Sequence, residues 1–242
     1  MKKWIIRRGG GGVGIDPISA DLLWYYKFNG NSYRAYGTNN GGSSGVTYTS
    51  APSGQCAVFD GSSFISIDDS EDFNLGASDW TIFTWVNPSV ININQYVLGQ
   101  STALGGNTSL FLSITVGNKI NFYLENTIGG SISLVSTSSV LANNWYFVSI
   151  KRSGDTVTLK LNDIQEDSDT FASTVNNSLY KMSIGAFGEY RVDMLQGKVG
   201  MFAGWGRALE DEEETQLYNS GSGWKFNSNP PINSANPLQI SY

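Results

Sequence analysis

The residues of this chain that could do chemistry are better suited to holding a molecule than to transforming one. Phe187, Gly188, Glu189, Tyr190 and Arg191 set two aromatic rings beside a planar guanidinium. A sugar is recognised by such a set, with a flat aromatic face against its C–H surface and planar donors or acceptors for its hydroxyls. Tyr96 is another ring without an apolar strand around it, as are Tyr33, Tyr36 and Tyr48, and Asn176 and Asn177 could add amides. Phe187, Tyr190, Arg191 and Tyr96 are therefore the expected ligand-binding residues, although the same segment also reads as a solvated loop.

Catalytic and metal chemistry find less to work with. Histidine is absent, which removes the commonest general base and the commonest zinc ligand. Asp68, Asp69, Glu71 and Asp72 gather four carboxylates, as a calcium loop would, because calcium takes about six to eight oxygens. Their spacing matches no recognised calcium loop, so no cofactor is expected and calcium stays an open alternative. A glycosidase needs two carboxylates facing each other across a cleft. No Glu-x-Asp-x-x-Glu strand occurs; Glu166, Asp167 and Asp169 lie in a turn-like polar stretch, and Glu210 to Glu214 fall in a helical pattern. An enzyme is not expected. Cys56 is the only cysteine, so no intrachain disulfide can form.

The elements that must position these residues are strands. Asp79 to Val86 is apolar on both faces of a period-2 pattern, which reads as a strand covered on both sides. Similar runs occur at Leu22 to Phe28, Gln55 to Phe59, Phe64 to Ile67, Gln95 to Leu98, Leu110 to Val116, Ile120 to Leu124 and Ile132 to Val135. Trp145 to Ile150, Val157 to Leu161, Tyr180 to Ile184 and Val199 to Trp205 complete the series. Short strands separated by Gly, Asn and Ser turns predict two packed antiparallel sheets. Gly41 to Gly45 reads as a polar loop. Trp24, Trp80, Trp85 and Trp145 are expected in the core, filling the space between sheets. One short helix is predicted at Glu210 to Tyr218, its acidic first turn complementing the helix N-terminus and its acidic run forming a solvated face.

The 242 residues suit one domain of this kind. The chain is 40% apolar and 15% charged, below the roughly 25% charge of ordinary globular proteins. Four of its fifteen basic residues, Lys2, Lys3, Arg7 and Arg8, stand in the first eight positions, leaving eleven against twenty-one acidic residues in the rest. So acidic a body argues against a nucleic-acid-binding face. No apolar run approaches the roughly 18 residues of a membrane span, and Trp4, Ile5, Ile6, closed by Arg7 and Arg8, is too short for a secretory leader. Residues 1–20 form a basic, Gly-rich arm, residues 21–224 the sandwich, and residues 225–242 an extended tail with Pro230, Pro231 and Pro237.

The order of motifs resembles the laminin G-like, concanavalin A-like jelly rolls. Leu23, Trp24, Tyr25, Tyr26, Lys27, Phe28, Asn29, Gly30 resembles the family's opening strand, and Gly54 to Gly61 its second motif. Thr81 to Val86 with Pro88, the strand from Trp145, the hairpin ending at Leu161, Asn162, Asp163, and Arg207, Ala208, Leu209 before a Glu-bearing helix follow in the family's order. The resemblance covers about Leu22 to Tyr218 and implies an all-β, two-sheet antiparallel sandwich with one short helix near the C-terminus. Where the family has a Gly followed by an Ile-Asp-Asp-type triplet, this chain has Val199, Gly200, Met201 after Gly197 and Lys198, so the resemblance does not extend to an ion.

Similar jelly rolls act on extracellular glycans or proteins. A leader and disulfides are lacking here, and a virion protein, assembled in the cytoplasm and exposed at lysis, needs neither. The expectation is a non-enzymatic phage capsid-decoration or fibre protein displaying a glycan- or protein-binding sandwich. Lys2, Lys3, Trp4, Arg7 and Arg8 would dock it to other virion or assembly proteins as an oligomer, with a host-surface glycan as the outward partner. The alternatives are a secreted or cell-surface lectin and a glycoside hydrolase with lost or relocated acids.

Overall fold

The computed structural model describes residue 18 and residues 20–101 and 108–223. The docking residues Lys2, Lys3, Trp4, Arg7 and Arg8, and the tail beyond Gly223, lie outside that set. The strands are β1 (Leu22–Tyr26), β2 (Arg34–Tyr36), β3 (Gly41–Ser44), β4 (Thr47–Ala51), β5 (Gly54–Asp60), β6 (Phe64–Ile67), β7 (Trp80–Pro88) and β8 (Gln95–Gln100). They continue with β9 (Leu110–Ile114), β10 (Lys119–Glu125), β11 (Ser131–Ser139), β12 (Tyr146–Ser153), β13 (Thr156–Leu161), β14 (Ile164–Thr170), β15 (Met182–Ile184) and β16 (Gln196–Trp205), ahead of helix α1 (Asp211–Tyr218).

These strands make two antiparallel sheets. The larger runs β14, β13, β12, β7, β16, β1, β2, with the β4–β5 hairpin joined through β5 to β16. The smaller runs β11, β10, β9, β8, β15, β6, β3. β16 pairs with β5 over Gln196 to Gly200 and with β1 over Phe202 to Trp205. Met201 lies between them at positive φ, where the register to β7 also slips. It acts as a bulge that bends the strand and hands one neighbour over to the next.

The alternation of β7 explains the layers. Trp80, Ile82 and Val86 face the second sheet and join a buried cluster with Trp24, Phe202, Phe122 and Ile150. Trp80 meets Phe122 of the opposite sheet at 6.3 Å between ring centroids. Phe83 and Trp85 point the other way, into a second cluster with Phe147, Trp205, Met201, Leu217 of α1 and Ile18. The larger sheet is thus covered on both faces, as its pattern predicts, but its outer cover is α1 and the segment before β1. Trp85 is fully buried under that cover instead of between the sheets. Trp145 stands just before β12 and is only half-buried at the edge of the outer cluster, a correction to its expected core position. Gly204 lies beside Trp24, and a Cβ there would come within 2.2 Å of the indole, so the ring uses the missing side chain as packing space.

Three further predictions are corrected. Gly41 to Ser44 is a strand, Glu166 to Asp169 lies in edge strand β14, and the acidic run on α1 is not wholly solvated, because Glu214 is buried. Small and polar residues hid the strands; Glu214 is buried because two lysines meet it.

Candidate binding face

Polar and aromatic residues share the outer face of the seven-stranded sheet. In β9, Leu110, Leu112 and Ile114 are buried, so strand alternation sends Phe111 and Ser113 outward. In β10, Ile120, Phe122 and Leu124 are buried, while Asn121, Tyr123 and Glu125 face out. Tyr123 stands directly opposite Phe111 across the strand pair, and the two rings stack at 4.8 Å and 5°. Tyr96 of β8 meets the Phe111 edge at 5.2 Å.

The ring row is completed from a loop. The connection from β15 to β16 folds back over β8, where Gly99 leaves bare backbone on the outer face. The Phe187 ring occupies that space, and a Cβ on Gly99 would come within 3.3 Å of it. Phe187 stacks on Tyr96 at 4.5 Å and meets Phe111 edge-on at 5.4 Å. The following helical turn, Gly188–Tyr190, is pinned by hydrogen bonds from the Glu189 N–H to the Ser101 carbonyl and from the Ser183 hydroxyl to the Gly188 carbonyl, at 3.1 and 2.8 Å. Arg191 and Asp193 then adopt left-handed backbone, φ 50° and 45°. Such conformations cost about 1–3 kcal/mol each and persist where surrounding contacts enforce them.

The expected site residues are therefore partly reunited. Tyr96 and Phe187 are in contact. Phe187, at 3% exposure, packs against Tyr96 and Phe111 and offers little face of its own. Arg191 lies over the Phe64 ring, its guanidinium 3.4 Å from the centroid. Phe64 is also on the outer face, across β15 from Phe187. Tyr190 belongs to the same turn, with its side chain outside the described set. Asn176 is engaged elsewhere, donating its amide to the Thr108 carbonyl at 2.9 Å. Sequence reasoning missed Phe111 and Tyr123. The available signal was an aromatic on the polar side of each alternating strand.

Polar groups flank the rings. The Ser133 hydroxyl, on the strand beside Tyr123, donates to the Asn121 side-chain carbonyl at 2.7 Å, and the Tyr123 hydroxyl donates to Glu125 at 3.3 Å. Burial pushes the Tyr96 phenol pKa up, and the nearby Asp193 carboxylate adds to the rise, so this ring is a neutral hydrogen-bonding group at ordinary pH.

The carboxylates at 68–72 separate to four different partners. Asp68 pairs with Lys181 at 2.7 Å, Asp69 accepts from the Gln100 amide at 2.9 Å, Glu71 from the Asn74 amide at 3.1 Å, and Asp72 from Thr38. Among the described residues, no three His, Cys, Asp or Glu side chains are grouped to hold a metal ion.

The concanavalin A-like lectin/glucanases superfamily matches residues 59–213, and the chain belongs to that family. No curated protein matches it in sequence. Among solved structures, the binding domain of Paraclostridial Mosquitocidal Protein 1 is 16% identical with a TM-score of 0.68, covering 84% of this chain and 53% of its own. Domain 4 of the extracellular GH43 arabinanase AbnA of Geobacillus stearothermophilus, solved with arabinotriose, is 15% identical with a TM-score of 0.67, covering 82% of this chain and 98% of its own. The botulinum neurotoxin serotype G binding domain is 17% identical with a TM-score of 0.64, covering 81% and 50%. This chain spans about half the length of the toxin domains. At these identities the likeness is one of fold. No helix among the described residues is long and apolar enough to cross a membrane.

Proposed function

We propose that this chain is a non-catalytic, lectin-like binding domain that holds an uncharged glycan on the outer face of its seven-stranded sheet. The observation that carries this is the unbroken ring row Phe187, Tyr96, Phe111, Tyr123, bordered by Asn121, Ser113 and Ser133. A pyranose or furanose laid along Phe111 and Tyr123 would find apolar area under its ring and neutral hydrogen-bonding groups beside it. The net charge of −6 makes an anionic saccharide a poor fit, and Arg191 is already stacked on Phe64. Non-catalytic action is supported by the sequence, which has no Glu-x-Asp-x-x-Glu strand to set two carboxylates across a cleft; of the carboxylates beside the row, Glu125 accepts the Tyr123 hydroxyl.

The test is a glycan array followed by calorimetric titration of any hit, with Tyr123→Ala and Tyr96→Ala as variants. Removing a stacked ring costs about 0.5–1.5 kcal/mol, so up to roughly tenfold weaker binding is expected for each, with the fold retained. An array without hits, or hits unaffected by both variants, would count against the reading, and hydrolysis of a bound glycan would remove its non-catalytic part. As the setting for this domain we carry forward a virion, with the basic arm docked to an assembly partner and a host-surface glycan outward. A secreted or cell-surface lectin is the other setting.

A further inference from the structure

The two long sides of the sandwich are finished differently. On one side lie the edge strands β14 and β11. β14 carries Glu166, Asp167 and Asp169, and its carboxylates cap the neighbouring edge: Asp167 accepts from the Val135 N–H and Glu166 from the Ser138 N–H, each at 2.8 Å. Charge and capped amides are how natural sheets keep an edge from pairing with another chain.

On the other side the protection is uneven: β2 carries Arg34, whose guanidinium and N–H both donate to the Asn40 side-chain carbonyl, at 2.8 and 3.3 Å, whereas β4, among the described residues, has neither charge nor a capped outer edge. This side is built from β2, β3 and β4, and from Ala35 to Phe59 the chain contains no Asp, Glu, Lys or Arg. Among the described residues, β4 pairs only with β5. Thr47, Thr49 and Ser50 are exposed. The hairpin closes with Ala51 opposite Gly54, a two-residue connection whose flanking pair is hydrogen-bonded. By alternation, Thr47 and Thr49 direct their backbone groups to β5, while Tyr48 and Ser50 direct theirs to the free edge.

We propose that β4 is a dimer seam, on which a second copy of this chain adds its own β4 antiparallel about Thr49. Charge selects this occupant. Outside its first eight residues the chain has eleven basic against twenty-one acidic residues, so two copies repel over most approaches, and the uncharged strand β4 is where they meet without like charges opposed. In the symmetric pairing Tyr48 of one copy exchanges both backbone hydrogen bonds with Ser50 of the other. Thr49 then faces Thr49 as a close, non-hydrogen-bonded pair, a favourable cross-strand match. A strand pairing with itself about a twofold axis is the geometry of a closed dimer. The seam lies on a flank of the sandwich, apart from the aromatic face, and stands independently of the glycan reading.

The test is sedimentation of the full chain at micromolar concentration, with T49K, T49E and their equimolar mixture, each checked for an unchanged circular dichroism spectrum. A dimeric parent, two monomeric variants and a dimeric mixture are expected, because opposed like charges at position 49 repel and unlike ones attract. Ser50→Pro is the second variant. It removes the outward N–H without touching the pairing to β5 and should also give monomers. A parent that is monomeric, whether its own tail covers the strand or nothing does, overturns the proposal. So does a dimer that neither T49K nor Ser50→Pro dissociates.

Discussion

Glu214 shows how a single side chain can be misjudged from its neighbours. It belongs to an acidic run that reads as a solvated helix face, yet its side chain is 1% exposed, held by Lys151 at 2.6 Å and Lys160 at 2.8 Å and by the Ser149 hydroxyl. The two lysines are themselves largely buried, at 15% and 12%. Burial works against their charge, and the hydrogen bonds to Glu214 and Asp211 outweigh it, so both pKa values end above the ordinary lysine value. Removing one partner of a buried ion cluster leaves uncompensated charge, at about 3–5 kcal/mol. Glu214→Ala should fall toward the lower end, because Asp211 still faces both lysines; a urea midpoint that does not move would show that the cluster does not hold the helix. Nothing local in the sequence marks Glu214, since its partners come from β12 and β13, far away along the chain. Asp60 is the opposite case. The Phe59, Asp60, Gly61 motif was visible, and the structure gives its reason: Asp60 accepts the N–H groups of Ser62 and Ser63, both at 2.9 Å, closing the β5–β6 turn.

At the level of elements, α1 is a clamp on the larger sheet. Its capping box joins Glu210 and Glu213, and Arg207 holds Glu213 with two hydrogen bonds of 2.6 and 2.7 Å while donating to the Ala20 carbonyl at 3.1 Å. The Arg207, Ala208, Leu209 motif thus ties the helix start to the segment before β1. This clamp sets a pH dependence. Hydrogen bonds from Lys160 and Lys151 hold the Asp211 carboxyl well below its usual range, and Glu213 is lowered because the Arg207 bonds outweigh its burial. Hydrogen bonds from the Ser62 backbone and hydroxyl, with Ser63, bring Asp60 to about 2. Carboxyls lowered in the folded state stabilise it fully above the unfolded value, near 4, and lose that contribution as pH falls through the folded values. The raised lysines contribute fully below about 10.4 and lose it as pH rises further. A melting temperature that is flat near neutrality and falls below about pH 4 is expected from thermal scans, the acid limb shrinking in Asp211→Asn; a limb unchanged in that variant would assign it elsewhere. Strands with alternating apolar residues, such as β9, β10 and β13, were legible in the sequence. β3, β4 and β14 were not, because Gly, Ser, Thr and acidic edge strands bury too little to leave a period-2 signal. The binding face was half legible for a related reason. Tyr96 and Phe187 stood out as isolated rings, whereas Phe111 and Tyr123 were hidden among core residues of their own strands.

At the scale of the whole molecule, charge is unevenly dealt: a basic arm, an acidic body and an uncharged run from Ala35 to Phe59. If the arm docks the domain to a particle, as proposed, deletion of residues 1–16 abolishes incorporation while the sandwich still melts cooperatively. Unchanged incorporation would locate the docking surface on the body. The family resemblance was readable because its motifs mark turns and buried strands, which the fold preserves. The missing acidic pair near Val199 was equally readable and matches a strand whose side chains there serve packing.

The placement of β16 also bears on how the domain is made. This strand lies within the nine-stranded sheet, bonded to β7 on one side and to β5 and β1 on the other. β1 and β5 precede β16 by more than 130 residues in this domain, and therefore lack their central neighbour until residues 196–205 have emerged. Such long-range closure is slow, and the waiting strands are open to wrong partners in the meantime. The nascent chain thus reaches its native topology through a late insertion between strands already synthesised, which makes shielding by cellular chaperones most valuable just before that step.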